Sequence, residues 1–316
     1  MSGVAVVICA YAEERLPRLR QAVASVAAQT VPASAVVVAI DHNPRLLKLA
    51  RASLQGVTVL ANPGPRGAGE ARNAGAAAVP GASILAFLDD DARAAPDWIE
   101  RALPAFEQPR VMGVGGTIRA DWEAPAPGWF PAEFNWAVGC TYPGLPEQPA
   151  PVRNLIAASM FVRAEVFAEL GGFRRGFGKQ GARSRPEETD LCLRANARWP
   201  QRLWLHDPAV AVSHAVPPSR GRVGYFLSRC YHEGRGKADL TGFAGSSAAL
   251  AAERRYTRHT LPAGFAAGVR EAAGGGGAQA LARSAAIVAG LGAAGAGYAC
   301  GRLLAGAGHV VEGEGR

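Results

Sequence analysis

The sequence predicts an α/β fold with a mostly parallel, doubly wound sheet of the Rossmann-like type and a helical appendage at the C-terminus. Short apolar runs rich in β-branched residues, of which residues 4–8 are the first, have the composition of strands buried on both faces. Stretches with apolar residues at helical spacing, such as residues 16–26, alternate with these runs, which is typical of parallel strands joined by helices. With 49% hydrophobic and 19% charged residues, the 316-residue chain has enough apolar material for a large core.

The element predictions follow the chain in order. Strands are predicted at residues 4–8, 36–40, 57–60, 83–88, 111–118, 155–162, 203–205 and 209–213, and helices at residues 16–26, 44–54, 67–78, 97–106, 164–170 and 188–197. The segment 121–148 is rich in Trp, Pro and Gly. A loop of that length inside a domain is usually a functional or a covering loop.

The composition changes after residue 240. We predict a main domain over residues 1–240, a basic, glycine-rich linker region over 241–277 and an apolar helix rich in Ala and Gly over 278–307. Residues 284–301 carry no charged side chain, and this length is close to the lower limit for a membrane span. Two interpretations of the helix stay open: it associates with a membrane surface, or it packs on a second subunit of a homo-oligomer.

Charge and cysteine usage argue against other classes of protein. The formal net charge is +8, but the sequence has no basic–aromatic repeat, so no nucleic-acid partner is expected. The five cysteines are scattered without a CxxC spacing, which is typical of free thiols in a reducing compartment. A strand is predicted almost at the first residue, and a secretory signal is therefore not expected. We expect a cytoplasmic location, at the inner face of the cell membrane if the C-terminal helix binds there.

Three consecutive carboxylates, Asp89, Asp90 and Asp91, follow the apolar run at residues 84–88. Adjacent carboxylates repel one another unless a cation lies among them, and Mg²⁺ and Mn²⁺ prefer oxygen ligands from carboxylates and substrate phosphates. Ligands of open α/β sheets bind beyond the carboxyl ends of the strands. The run therefore predicts a site for a metal ion and a diphosphate. The alternative is an acidic helix N-terminus, in which these carboxylates cap a following helix.

Further motifs surround this run in a fixed order. They are the segment 7–13, Asp41 at the end of the second predicted strand, and the segments 62–75, 89–91, 163–173, 187–194 and 212–214. In order and in their placement at strand ends, they resemble the motifs of family 2 glycosyltransferases with the GT-A fold, over residues 4–237. Residues 129–134 and 138–141 are locally similar to enzymes that glycosylate polyprenyl-phosphate sugars in archaea.

The resemblance implies a nucleotide-diphosphate sugar as donor, with UDP as the expected nucleotide, and Mg²⁺ or Mn²⁺ as cofactor. Three positions match metal ligands of the family, namely Asp91, Asp89 and His214. Arg72 and Arg229 are candidates to bind the diphosphate, because guanidinium groups match phosphate oxygens. The full set of donor-binding positions that the resemblance implies is Ala10, Tyr11, Glu13, Asp41, Arg72, Asp89, Asp90 and Arg229.

The catalytic base is expected in a carboxylate pair that precedes the predicted helix 188–197. An acceptor hydroxyl must lose a proton during transfer, and a carboxylate with a raised pKa suits that step. Family members usually carry Glu-Asp where this chain has Glu187-Glu188, so the base position falls on Glu188, with Glu187 as the alternative. Direct attack assisted by one base implies inversion at the anomeric carbon. The competing interpretation is a charged helix N-terminus that the helix dipole favours.

The acceptor is expected to be a hydroxyl group, with a polyprenyl-linked sugar as the leading candidate. The first alternative is a soluble natural-product acceptor, in which case the C-terminal helix would serve oligomer packing. A sugar-1-phosphate nucleotidyltransferase is disfavoured because residues 9–14 do not form a glycine-rich basic loop. A non-catalytic carbohydrate-binding protein would give no role to the three aspartates together with the Glu187-Glu188 pair.

Overall fold

The computed structural model describes residues 3–180, 183–244 and 250–313. Contacts between Cα atoms divide the chain into two units. The first takes the described residues of Met1–Arg119, Pro146–Gln180 and Glu187–Ala215, and the second takes those of Ala120–Leu145, Gly181–Pro186 and Val216–Arg316. The domain boundaries predicted at residues 240 and 277 stay predictions.

The strands are short and, in the first unit, mostly parallel. They are β1 (Val4–Ala10), β2 (Ala35–Ile40), β3 (Thr58–Ala61), β4 (Ile84–Asp89), β5 (Ala92–Ala94), β6 (Val111–Gly115), β7 (Ile118–Trp122), β8 (Ala150–Val152), β9 (Ser159–Arg163), β10 (Gly178–Gln180), β11 (Arg183–Arg185), β12 (Leu203–His206) and β13 (Val212–Val216). The main sheet has the order β3-β2-β1-β4-β9-β6-β12-β8. Only β9 and β8 pair antiparallel with their neighbours in it, so the predicted mostly parallel sheet is confirmed.

Helices alternate with the first strands, as predicted. They are α1 (Leu16–Ala27), α2 (Pro44–Ser53), α3 (Ala68–Ala77), α4 (Trp98–Ala102), α5 (Ala164–Glu169) and α6 (Glu187–Arg198), with 3₁₀ helices at Glu13–Arg15 and Leu103–Glu107. A buried cluster joins the central strands to α5 and α6, in which Val7 and Phe87 pack with Phe167 and Leu191. This core fixes the carboxyl ends of β1 and β4 relative to the start of α6.

The second unit is mainly helical in its described residues. Besides β11, its elements after β7 are a 3₁₀ helix (Ala132–Val138), α7 (Val223–Ala244), α8 (Ala251–Arg255), α9 (Leu261–Glu271) and α10 (Gly277–Gly313), with a 3₁₀ helix at Pro218–Gly221 and π-helical turns at Tyr256–Thr260 and Ala272–Gly276. The chain reverses between α9 and α10, where Gly275 and Gly277 have positive φ angles of 103° and 65°. A linker is predicted over residues 241–277, yet the described part of that stretch is largely helical.

The aromatic residues of the loop 121–148 pack inside the second unit. Phe134 and Trp129 each contact Phe226 of α7 edge to face. The Trp136 indole N–H donates to the Tyr256 hydroxyl at 3.0 Å, and that hydroxyl donates to the Glu133 carbonyl at 2.7 Å. Buried Trp and Tyr side chains usually find such partners. The loop therefore acts as part of a core in this unit.

The helices α7 and α10 pack closely because glycines lie at their contact. A Cβ atom placed on Gly297 would overlap the Tyr231 carbonyl, and one placed on Gly234 would overlap the Ala294 carbonyl. By contrast, a Cβ atom on Gly295 of the same helix would meet no atom within 4 Å in the described structure. Small residues at such positions let helix backbones approach one another.

We expect Gly297→Ala to lower the free energy of unfolding by about 1–3 kcal/mol, since the added methyl group forces the two helices apart. Gly295→Ala is the matched control. It adds the same methyl group to open space, so its helix propensity raises stability by up to about 1 kcal/mol. Urea unfolding of both variants measures the difference. Equal stability changes in the two variants would contradict this account of the α7–α10 contact.

Candidate active site

The three aspartates lie where β4 turns into β5. Asp89 ends β4, and Asp90 and Asp91 form the turn. The Asp91 carbonyl accepts a hydrogen bond from the Ala215 N–H at 2.8 Å, and β13 pairs antiparallel with β5 so that His214 lies opposite Ala92. This register brings a histidine that is distant in sequence next to the acidic turn.

The structure brings the three predicted metal ligands together. The His214 Nε2 atom lies 3.0 Å from the Asp91 Oδ1 atom, and both side chains are buried. Each of Asp89, Asp91 and His214 offers a ligand atom within 4.8 Å of the other two. Adjacent ligands of an octahedral ion with bonds of about 2.1 Å lie about 3.0 Å apart. Two carboxylates and an imidazole at these separations therefore fit a divalent cation.

Arg15 is a site residue that the sequence analysis missed. One of its terminal nitrogens lies 2.7 Å from Asp90 Oδ1 and the other lies 3.1 Å from Asp91 Oδ2. Burial raises the pKa of Asp90 to about 7, with Arg15 opposing the shift and the neighbouring carboxylates of Asp91 and Asp89 adding to it. An arginine that follows two glutamates at a helix start has the pattern of a surface ion pair, so local pattern does not predict this contact.

Arg72 lies between the acidic turn and the start of α6. Its Nη2 atom donates to Asp89 Oδ1 at 2.7 Å and its Nη1 atom donates to Glu187 Oε1 at 2.8 Å. The helix α3 can approach the sheet this closely because Gly75 has no side chain. A Cβ atom at this position would overlap the Val7 side chain. Arg72 is buried, and both terminal nitrogens face carboxylates. The predicted diphosphate contact of Arg72 stays a prediction beside this observed bridging position.

The two glutamates among which the catalytic base is predicted lie in different surroundings at the first turn of α6. Glu187 is buried and is held by Arg72. Glu188 is half-buried and contributes to the electrostatic field at Arg72. An ion pair with a buried guanidinium occupies one oxygen of Glu187, whereas Glu188 retains contact with solvent. The two glutamates therefore differ in burial and in their contact with Arg72, and the choice of Glu188 as the base stays a prediction.

Two of the predicted nucleotide positions meet at the ends of β1 and β2. The Ala10 carbonyl accepts from the Asp41 N–H at 2.8 Å. The Asp41 carboxylate is buried. Its Oδ1 atom accepts from the Asn62 side chain at 2.8 Å and lies 2.9 Å from His42 Nδ1, and its Oδ2 atom accepts from the Gly67 N–H at 3.0 Å. Asp41 therefore holds the β3–α3 loop in place. Each carboxylate oxygen has two lone pairs, so Oδ2 of Asp41 keeps acceptor capacity for a ligand beside the Gly67 N–H.

The other predicted donor positions are spread more widely. The Tyr11 ring is exposed and lies 5.2 Å from the Arg15 guanidinium carbon. Glu13 forms an ion pair with Arg45 at 3.1 Å near the surface. Arg229 belongs to α7 in the second unit, where it pairs with Glu233 at 3.4 Å. The donor-binding roles of these three residues stay predictions.

The comparisons with known proteins agree with this architecture. A glucosyl-dolichyl phosphate glucuronosyltransferase of Haloferax volcanii is 31% identical over 239 residues, which cover 74% of this chain and 76% of the relative. A mannosyltransferase of Pyrobaculum calidifontis, solved with GDP-Man and Mn²⁺, has a TM-score of 0.57 at 18% identity, covering 92% of this chain and 86% of that one. GalNAc-T7, solved with UDP, GalNAc and Mn²⁺, has a TM-score of 0.55 at 15% identity, covering 82% of this chain and 58% of that one.

The two solved structures show that the first unit's sheet belongs to a GT-A fold, as the motif order predicts. The sequence profile described as Glycosyl transferase family 2 matches residues 5–171, a range that contains β1 from its second residue, β2 to β4 and the acidic turn. With the profile match, the relative from Haloferax volcanii and the fold in agreement, the chain belongs to glycosyl transferase family 2.

Proposed function

We propose that the protein is an inverting, metal-dependent glycosyltransferase that moves a sugar from a UDP-linked donor to a hydroxyl of a polyprenyl-phosphate-linked acceptor. The observation that carries the proposal is the grouping of Asp89, Asp91 and His214 at the end of β4. Arg72 links Asp89 of this group to Glu187 at the start of α6. A site for the leaving diphosphate and a base for the acceptor are thereby held on one rigid scaffold.

The carboxylates and the histidine would hold Mn²⁺ or Mg²⁺. A bound divalent cation would stabilise the negative charge that develops on the departing diphosphate. Asp91 and His214 supply the two buried ligand atoms, and Asp89 supplies a third that is partly exposed. Asp41 and Tyr11, at the ends of β2 and β1, are proposed to bind the nucleotide base and ribose.

Glu188 is proposed as the base. It would accept the proton of the acceptor hydroxyl as that oxygen attacks the anomeric carbon on the side opposite the diphosphate, which gives inversion. Glu187 is less suited to this role because its Oε1 atom accepts from Arg72 at 2.8 Å. The ion pair instead lets Glu187 fix the first turn of α6, and with it the position of Glu188.

The lipid-linked acceptor is proposed on two grounds. The relative from Haloferax volcanii is named for transfer of glucuronosyl to glucosyl-dolichyl phosphate. In the described chain, the stretch Ala252–Leu304, which includes the reversal between α9 and α10, contains an 18-residue helical window apolar enough to cross a membrane, and 33% of that window is buried. Several large apolar side chains of this stretch are exposed, among them Leu281, Val288 and Leu303. A basic flank at Arg302, which is exposed, suits an anionic membrane surface, whereas Arg283 at the other end of the uncharged stretch is paired with Glu271.

A thermal-shift panel of UDP, GDP and other nucleoside diphosphates, with and without Mn²⁺, tests the donor proposal. We expect UDP with Mn²⁺ to raise the melting temperature most, because a ligand that binds only the folded state stabilises it by mass action. At a concentration of about 100 times Kd the gain is about 2.7 kcal/mol. A larger rise in melting temperature with GDP than with UDP would contradict UDP as the donor nucleotide and favour GDP. Equal shifts with and without Mn²⁺ would contradict metal-dependent donor binding.

Sedimentation with lipid vesicles tests the membrane proposal. We expect the protein to pellet with vesicles containing anionic lipid, and less so at high salt, because the basic flank contributes an electrostatic attraction that salt screens. Replacing Leu281, Val288 and Leu303 with serine removes exposed apolar surface without touching buried residues. This triple variant should stay in the supernatant. Parent protein that is monodisperse without detergent and never pellets would contradict the membrane proposal and favour a soluble acceptor.

A further inference from the structure

The guanidinium of Arg15 contacts two of the three aspartates at once. It lies 2.7 Å from Asp90 Oδ1 and 3.1 Å from Asp91 Oδ2. Arg15 is largely buried, and the two carboxylates are almost completely so. Two contacts of this kind use the planar geometry of an arginine, which a lysine ammonium cannot reproduce.

The contact divides the two oxygens of Asp91 between two partners. Oδ2 faces Arg15, and Oδ1 faces the Nε2 atom of His214 at 3.0 Å. With one oxygen held by the guanidinium, the carboxylate plane cannot rotate freely about its side-chain bond. The other oxygen is therefore directed at His214, which is the arrangement that a cation shared by both residues requires.

The same guanidinium also lies over the Tyr11 ring, with its central carbon 5.2 Å from the ring centroid. This is within the distance of a cation–π contact. Tyr11 follows the last residue of β1, where the nucleotide is proposed to bind. Arg15 thus contacts both the acidic turn and the exposed aromatic ring beside it.

We propose that Arg15 is a positioning residue that aligns Asp91 for the metal, an inference that rests on the metal site of the proposed function. Residues that hydrogen-bond metal-ligating carboxylates typically change metal affinity by 10–100-fold when they are removed. The direction of the change in Mn²⁺ affinity distinguishes an alignment role of Arg15 from a purely electrostatic role. Loss of a nearby positive charge would by itself tighten cation binding, whereas loss of alignment weakens it.

The test measures Mn²⁺ binding by titration calorimetry in the presence of saturating UDP. Arg15→Gln alone leaves the charge of Asp90 buried beside an amide, which costs stability. We therefore compare Asp90→Asn with the double variant that adds Arg15→Gln, since Asn keeps the shape of Asp90 without its charge. The double variant is expected to bind Mn²⁺ about 10-fold more weakly than Asp90→Asn. Arg15→Lys in the same background should show a similar loss, because it restores the charge but not the two contacts.

Arg163→Gln is the matched control. Arg163 donates to the backbone carbonyls of Val111 and Phe106 and pairs in register with Ile84, at the opposite end of β4 from Asp89. Its replacement costs stability without approaching the acidic turn, and Mn²⁺ affinity should match the parent. If the Arg15→Gln double variant binds Mn²⁺ as tightly as Asp90→Asn or more tightly, the role of Arg15 is overturned and the metal site is not. Full Mn²⁺ affinity in the Arg15→Lys double variant has the same consequence. Parent protein that binds no Mn²⁺ overturns the metal site and this inference together.

Discussion

Asp91→Ala is expected to lower kcat by about 1000-fold. Stabilisation of a leaving diphosphate by a cation is worth several kcal/mol, and each ~1.4 kcal/mol corresponds to a factor of ten in rate. The variant removes the buried oxygen that faces His214 and the oxygen that faces Arg15. Steady-state sugar transfer at saturating Mn²⁺, together with calorimetric Mn²⁺ binding, measures both effects.

Asp97→Ala is the control for the loss of Asp91. Asp97 pairs with Arg101 on the exposed face of α4, away from the acidic turn, and exposed pairs contribute little to stability. This variant should retain parent activity and parent Mn²⁺ affinity. Retained Mn²⁺ binding and activity in Asp91→Ala would contradict the metal site, and would favour the alternative in which the aspartates only stabilise the local fold.

Glu188→Gln is expected to lower kcat by about 10²–10⁴-fold, the usual contribution of a general base. Gln has nearly the shape of Glu but does not accept the acceptor's proton. Binding of UDP and Mn²⁺ should stay within about twofold of the parent, because the variant removes a base and not a metal ligand. Single-turnover transfer and calorimetry separate the two quantities.

Two further variants, compared with Glu188→Gln, test whether Glu188 is the base. Glu187→Gln breaks the ion pair with the buried Arg72, so we expect it to lower the melting temperature more than Glu188→Gln does. Glu169→Gln, at an exposed position of α5 that pairs with Arg198, should change neither activity nor stability appreciably. Full activity in Glu188→Gln with lost activity in Glu187→Gln would transfer the base role to Glu187.

Much of the first unit could be predicted from local sequence pattern. Residues 4–8 and 84–88 lie within β1 and β4, because strands buried on both faces need continuous apolar runs. The predicted strand 111–118 instead divides into β6 and β7. A Cβ atom on Gly116 would overlap the carbonyls of Asp207 and Val210, so this break is set by a segment that is distant in sequence. Local pattern carries no information on such contacts.

The candidate site shows the same division. The aspartates could be found because three adjacent carboxylates at a strand end are unusual without a cation, and motif order added His214. The contacts of Arg15 and Arg72 could not be found in this way. Arg15 reaches residues 75 and 76 positions later in the chain, and Arg72 reaches Glu187, 115 positions later. Which carboxylate an arginine meets depends on how helices pack on the sheet, and sequence spacing does not encode that.

Anomalous diffraction from crystals grown with MnCl₂ and UDP tests the central claim most directly. We predict a manganese peak within bonding distance, about 2.2 Å, of an Asp91 oxygen and the Nε2 atom of His214, with the UDP diphosphate beside it. A structure with UDP bound and no manganese among Asp89, Asp91 and His214 would contradict the claim.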